Sequence, residues 1–277
     1  MRKAIVNMCP TGMVPTKEMN PFVPISPDEI GQAVGGYEGL KPSIIHIHPR
    51  DEDGKPTWDP DIYKQIVDSI RKHYPEVLLS ATTSGRLWSD FDKRSALLEL
   101  KGDYKPDLAS LTLGSNNFAR TASQNPPKMI KDLALKMVDN GIKPELEVFE
   151  PGMIHTANHL ISKGILSKEA PYFNILLDSP GTSPLHPSTL ASFHALLPEN
   201  AVWGLAGIGI QQTAANLIAL GFGGHIRVGL EDSVYVMSRG KKKVISNYLL
   251  LKRLNPVFDL LDIEAATPTE TRELLNL

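Results

Sequence analysis

Short apolar runs alternate along the whole chain with stretches in which apolar residues recur every three or four positions. The first pattern marks buried strands and the second amphipathic helices. Eight runs read as strands: 3–9, 43–50, 77–84, 108–115, 143–150, 172–180, 202–209 and 225–232. Between them, Asp61-Ile-Tyr-Lys-Gln-Ile-Val-Asp-Ser-Ile-Arg71 and Ile130-Lys-Asp-Leu-Ala-Leu-Lys-Met-Val138 carry the helical period. Ser26-Pro-Asp-Glu29 supplies an N-cap serine, a first-turn proline and a glutamate at N3, and Thr267-Pro-Thr-Glu270 repeats the device. Gly141 and Gly164 stand where helices should stop.

Eight strand–helix units in 277 residues predict an α/β protein, a (β/α)8 TIM barrel forming a single domain over 1–277. A doubly wound open sheet would ask for a glycine-rich phosphate turn after the first strand, and Cys9-Pro-Thr-Gly-Met13 is a poor match. Residues 13–25 form a proline-rich loop after strand 1, placed to act as a lid over the barrel mouth.

Strand parity then becomes informative. Ile45 and Ile47 alternate with His46, His48 and Arg50, and Leu111 and Leu113 with Ser110, Thr112 and Gly114. Leu146 and Val148 alternate with Glu145 and Glu147, and Ile226, Val228 and Leu230 with His225, Arg227, Gly229 and Glu231. Strand 3 adds Ser80, Thr82 and Ser84 on one parity. The aliphatic parity suits packing against helices, so the polar parity points into the barrel. Burying such charges unpaired costs several kcal/mol each, so these groups satisfy one another or bind a ligand.

Composition narrows the partners. A formal net charge of -2 provides no global field for nucleic acid or an anionic membrane. No apolar run approaches the roughly 20 residues of a membrane span, and the apolar part of the N-terminus is too short for a secretory signal. Cys9 alone excludes an internal disulfide and a cysteine-cluster metal site, and makes the reduced cytoplasm the expected setting.

His46 and His48, two apart on one strand face, can bind one metal ion, with Glu231 as third ligand. Two imidazoles and a carboxylate suit Zn2+ with an open position, which would polarise a carbonyl oxygen and stabilise an enolate. The plainer alternative has one histidine capping a carbonyl and the other packing inside. Asp232 can serve as a base, with Arg227 orienting it, unless the two form a structural ion pair. Thr82, Ser84, Ser110 and Thr112 aim hydroxyls at the same mouth. Of Glu145 and Glu147, one is expected to pair with Arg227 or with a ligand histidine's second nitrogen. The run Ser238-Arg-Gly-Lys-Lys-Lys243 can meet phosphate or can simply be solvated.

His46-Ile-His-Pro-Arg-Asp-Glu-Asp-Gly54, Thr11-Gly12, Phe91-Asp-Lys-Arg94, Pro144-Glu-Leu-Glu147, Ala206-Gly-Ile-Gly209 and Gly223-Gly-His-Ile-Arg-Val-Gly-Leu-Glu-Asp232 together resemble the β-keto acid cleavage enzyme family, in collinear order. The resemblance implies a zinc-dependent barrel, a homotetramer, that converts a β-keto acid and acetyl-CoA to acetoacetate and a new acyl-CoA. It implies His46, His48 and Glu231 as the metal ligands. Asp232, supported by Arg227, becomes the base that removes the C2 proton, and Thr82 and Ser110 hold the substrate carboxylate. Ser84, Thr112, Val14 and Glu147 complete the expected substrate-binding set. Members that act on 3-keto-5-aminohexanoate carry a glutamate two residues after the Thr-Gly, matching the ammonium. Here that residue is Val14, which cannot pair a cation, so that substrate is not expected. Met13 and Val14 suggest an apolar side chain on the keto acid, and Trp88 is a candidate wall.

Two other readings remain. A zinc-dependent hydrolase would use the metal to activate water, although many such barrels carry the His-x-His on strand 1 and recruit further ligands from later strands. A catalytically silent barrel binding a small molecule would need no metal.

Overall fold

The structure, a computed structural model, describes residues 1–35, 39–118 and 121–277. Eight strands close into a barrel in chain order: β1 (Val6–Met8), β2 (Ile44–Ile47), β3 (Leu78–Ala81), β4 (Leu108–Thr112), β5 (Lys143–Val148), β6 (Tyr172–Leu177), β7 (Val202–Gly207) and β8 (His225–Val228). All neighbours pair in parallel, and β8 returns to β1. Helices follow each strand, including Pro27–Val34, Pro60–His73, Pro127–Asp139, Pro151–Ser162, Pro187–Leu196 and Gln212–Gly221. This is the expected (β/α)8 architecture.

The local signals work as their chemistry requires. Ser26 and Thr267 both complete capping boxes with Glu29 and Glu270. Gly141 and Gly164 take φ values of +61° and +69° just beyond two helices. Aliphatic residues on the outer strand faces, such as Ile45, Leu79, Leu111, Leu146 and Val228, join the helices in one core. Burial of each such side chain contributes about 1.5–3 kcal/mol.

The barrel interior is layered. Ile5, Ile44, Leu78, Leu108 and Tyr172 form an apolar floor with Ala266 and Leu275. One step up each strand, Asn7, His46, Ser80, Ser110, Glu145, Asn174 and Arg227 form a buried polar layer. The polar parity read from the sequence is therefore real, but it begins only above a hydrophobic plug.

Several strand limits differ from expectation. The run 3–9 splits at Ile5: Arg2–Ala4 pairs with Ile263–Ala265 beneath the barrel, and only Val6–Met8 enters it. The run 225–232 leaves the ladder after Val228, where Asp232 and Ser233 N–H groups both turn back to the Gly229 carbonyl. The runs 43–50 and 77–84 likewise end at Ile47 and Ala81. His48, Thr82, Ser84, Glu231 and Asp232 thus lie in the loops just past the strands, where barrel chemistry is usually placed.

Candidate active site

A cavity of about 310 Å³ opens at the C-terminal mouth of the barrel. Its lining includes His46, His48, Thr82, Ser84, Ser110, Thr112, Glu147, Arg227, Glu231 and Asp232, with Val14 on the loop above. All the expected site residues therefore meet around one space.

His46 and His48 point their Nε2 atoms at one another across 3.1 Å. His48 Nε2 lies 3.3 Å from Glu231 Oε1. Ligand atoms of His46, His48 and Glu231 all fall within 4.8 Å of one another. Gly12 makes room for this: its φ is +70°, and a Cβ there would sit 2.6 Å from Glu231 Cγ. That is the physical role of the Thr11-Gly12 pair.

The arrangement has two features that a divalent cation would satisfy. Glu231 Oε2 is buried and has no hydrogen-bond partner. The carboxylates of Glu145, Glu147, Glu231 and Asp232 all face a single guanidinium, that of Arg227, at 3.9, 3.4, 2.7 and 3.0 Å. So large a carboxylate excess at a buried site calls for added positive charge. Two imidazole nitrogens and a carboxylate oxygen fit a zinc-class ion.

Beneath this cluster, Glu145 is the organiser. Its Oε1 accepts Asn7 Nδ2 at 2.7 Å and Asn174 Nδ2 at 2.6 Å. Its Oε2 accepts the Ser80 hydroxyl and lies 3.3 Å from His46 Nδ1. Placing the His46 proton on Nδ1 leaves its Nε2 lone pair facing the cavity, as metal ligation requires. Burial opposes ionisation of Glu145, but His46, Arg227 and the Ser80 hydrogen bond hold its carboxyl down at about 2. Burial likewise pushes the His48 imidazole down to about 4, against the pull of Glu231, so it stays neutral near pH 7.

Asp232 is gripped by Arg227, Nε to Oδ2 at 3.0 Å and Nη2 to Oδ1 at 3.3 Å. Its own carbonyl accepts the Gly209 N–H at 2.8 Å, the contribution of Ala206-Gly-Ile-Gly209. Burial lifts the Asp232 carboxyl above its usual range, and Arg227 offsets only part of that. A more basic carboxylate is a better proton acceptor.

The hydroxyls divide. Thr82 Oγ1 and Ser110 Oγ accept the N–H groups of Ser84 and Thr83, which leaves their own protons free to donate into the cavity. Thr112 donates to Glu147 Oε2 at 2.8 Å, so its proton is committed. Ser84 Oγ accepts the N–H of Arg86 at 3.4 Å.

Some sequence signals prove structural. Arg50, on the polar parity of strand 2, does not face the cavity. Its guanidinium donates to the carbonyls of Gly12, Pro15 and Gly54, tying down the loop that carries Met13 and Val14. Asp51 to Gly54 is a turn in which Gly54 N–H meets Asp51 O at 2.8 Å. Arg94 of Phe91-Asp-Lys-Arg94 fastens the loop after β3 through Thr83 O, Gln124 O and Asn125 Oδ1. Trp88 is half-buried and lies outside the cavity lining, so it forms no wall there. Cys9 is buried beside Asn7. Of the two glutamates, Glu145 meets the second nitrogen of His46, as expected for one of them, and both also lie near Arg227.

Residues absent from the sequence reading also take part. Asn7 and Asn174 were each visible only as a polar residue on the inward parity of an apolar strand. Arg86 and Phe118 line the cavity from loops, where no periodicity marks them.

A family model described as "BKACE: beta-keto acid cleavage enzyme" matches residues 3–277. A 3-keto-5-aminohexanoate cleavage enzyme of Fusobacterium nucleatum is 32% identical over 278 residues, covering 100% of this chain and 99% of the relative. A 3-oxoadipate:acetyl-CoA acetyltransferase of Cupriavidus necator is 32% identical, covering 99% of this chain and 94% of the relative. Among solved structures, ObcA in a binary complex with oxaloacetate matches with a TM-score of 0.76 at 20% identity, over 93% of this chain and 68% of that one. That last likeness concerns the fold. The sequence match runs from the first strand through the last helix and takes in every residue of the cavity described above, and on that footing the chain belongs to the beta-keto acid cleavage enzyme family.

Proposed function

We propose that this protein exchanges acyl groups between a β-keto acid and acetyl-CoA, yielding acetoacetate and the acyl-CoA of the keto acid's side chain. The observation that carries the reading is the buried Asp232–Arg227 pair set directly beside the His46, His48 and Glu231 cluster. Zn2+ is the ion proposed for that cluster. When bound there, it supplies Lewis-acid polarisation of the ketone oxygen.

The chain's own groups do the rest. The hydroxyls of Thr82 and Ser110 hold the substrate carboxylate. Asp232 takes a proton from C2, between carboxylate and ketone, while Arg227 fixes its orientation and Glu147 balances the guanidinium. The C2 carbanion adds to the acetyl carbonyl of acetyl-CoA, and collapse of the adduct breaks the acetyl C–S bond and releases the CoA thiolate. The thiolate of CoA then takes the original acyl group as the old C2–acyl bond breaks, and Asp232 returns its proton. Val14 replaces the carboxylate that an ammonium side chain would need, so 3-keto-5-aminohexanoate is not the expected substrate.

We further infer one domain over 1–277, a homotetramer and a cytoplasmic setting. Among the described residues, no helix is long and apolar enough to cross a membrane.

The test is acetoacetate formation from acetyl-CoA with a panel of β-keto acids bearing aliphatic, hydroxylated, dicarboxylic, amino and trimethylammonium side chains. Glu231→Ala should lose zinc by elemental analysis, and activity with it. Asp232→Asn should keep stoichiometric zinc and lose turnover by about 10²–10⁴-fold, the usual worth of a general base. Full turnover in Asp232→Asn would remove it from that role. Silence of the zinc-loaded protein across the panel would favour a metal-dependent hydrolase.

A further inference from the structure

One cation in the cavity has nothing to do in the reaction as proposed. The buried arginines Arg50, Arg94 and Arg227 are each satisfied by carbonyls, an amide oxygen or carboxylates. Arg86 also lines the cavity, yet among the described residues its guanidinium has no hydrogen bond or ion pair. It stacks instead, with its central carbon 3.5 Å from the centroid of the Phe118 ring. Phe118 in turn meets Phe149 edge to face, with centroids 5.3 Å apart and planes at 85°. Phe149 belongs to the core, and Phe118 packs against that core beneath Arg86.

That geometry is a receptor rather than a leftover. A guanidinium stacked on a ring uses its face and leaves its in-plane N–H edges free for a planar anion. The loop beneath it is pinned, because Arg94 clamps Thr83 O and the Ser84 hydroxyl accepts the Arg86 N–H. The carboxylates of Glu231, Glu147 and Asp232 act on this half-buried cation through space, but none of them is in hydrogen-bond or ion-pair contact with it, so its N–H edges remain available to a bound anion. The substrate's common carboxylate already has donors in Thr82 and Ser110. The neighbouring wall of Met13, Val14 and Met19 offers apolar surface for a short methylene chain.

We propose that Arg86 recognises a second carboxylate, at the far end of the β-keto acid's side chain, so that the favoured substrates are dicarboxylic β-keto acids. Met13 and Val14 then line the methylenes rather than a wholly apolar side chain. Arg86 also repels an ammonium terminus, in line with Val14. The proposal rests on the keto acid–acetyl-CoA reading and sharpens its substrate class.

The experiment compares the zinc-loaded protein with Arg86→Gln and Arg86→Lys, using two β-keto acids of matched chain length, one ending in carboxylate and one in methyl. In the wild type the dicarboxylate should have the higher kcat/KM. In Arg86→Gln the ratio of the two kcat/KM values should fall by about 10–10²-fold, chiefly through KM, as loss of one charge-assisted pair implies. Arg86→Lys should recover part of that ratio. An equal loss on both substrates would place Arg86 on a group they share, the common carboxylate or CoA, and overturn the proposal. An unchanged ratio would overturn it too. Calorimetric binding of glutarate against butyrate to the same three proteins serves as a second readout. If the wild type turns over neither keto acid, the reaction is wrong. The anion receptor then stands if glutarate binds more tightly than butyrate and Arg86→Gln abolishes the difference, and falls if it does not.

Discussion

Glu145→Gln changes one atom of a side chain that is 0% exposed, and should disturb the proposed metal site without replacing any of His46, His48 and Glu231. Both carboxylate oxygens act only as acceptors, Oε1 for two amide donors and Oε2 for the Ser80 hydroxyl and the His46 ring. Glutamine must put an NH2 group at one of these places. At the Oε1 place it would face the Asn7 and Asn174 amides, and although the unpartnered Asn174 Oδ1 allows that amide to flip, Asn7 still donates to Glu145. At the Oε2 place Ser80 can rotate, but His46 must move its proton from Nδ1 to Nε2, the atom that faces His48. The first arrangement leaves a buried donor unpaired and costs about 1–3 kcal/mol. The second removes the lone pair a metal needs, and loss of such a supporting group weakens affinity by about 10–100-fold. Zinc affinity would be measured by competition with a chromophoric chelator at fixed pH, and stability by calorimetry, where each kcal/mol moves Tm by about 2–4 °C. The expected result is a loss in both. Unchanged zinc affinity together with an unchanged Tm would refute the reasoning, and a lowered Tm with full affinity would refute the tautomer argument.

His225 should make stability pH-dependent. Its Nδ1 accepts the Ile5 N–H at 3.0 Å, and burial, assisted by Arg2, lowers its pKa from 6.5 to about 4. The unfolded chain then binds the proton first, so this contribution is lost as pH falls from about 6.5 towards 4, by about 1–3 kcal/mol. His225→Asn keeps an acceptor without the titration. Urea midpoints at pH 7.5 and 4.5 should converge for that variant, and an unaltered difference would count against the assignment. Gly229→Ala should lose at least about 3 kcal/mol, because a Cβ would sit 2.0 Å from the Cys9 carbonyl oxygen and backbone cannot give way. Gly152→Ala meets nothing within 4 Å, lies in a helix, and should be neutral or stabilising by up to about 1 kcal/mol. Thermal unfolding of the two variants side by side checks both.

The barrel and the shared inward face of His46 and His48 were legible because each depends on a local regularity. Strand–helix alternation is a matter of period, and two histidines two apart share a strand face whatever surrounds them. Capping boxes at Ser26 and Thr267 involve residues only three apart, so their sequence is nearly their structure. Pairing across the barrel is different, because it depends on which residues closure brings opposite one another. Nothing local says that Asn7, Ser80 and Asn174 converge on Glu145, or that Arg227 faces four carboxylates. Nor does parity reveal that Arg50, in phase with His46 and His48, leaves the strand and clamps a loop. Where strands end was also a tertiary matter, set by the last inter-strand hydrogen bond rather than by the last apolar residue. Arg86 shows the limit most plainly. On a loop, one arginine looks like any other, and its meaning rests on a ring stacked beneath it and on N–H edges that, among the described residues, no hydrogen-bond partner occupies.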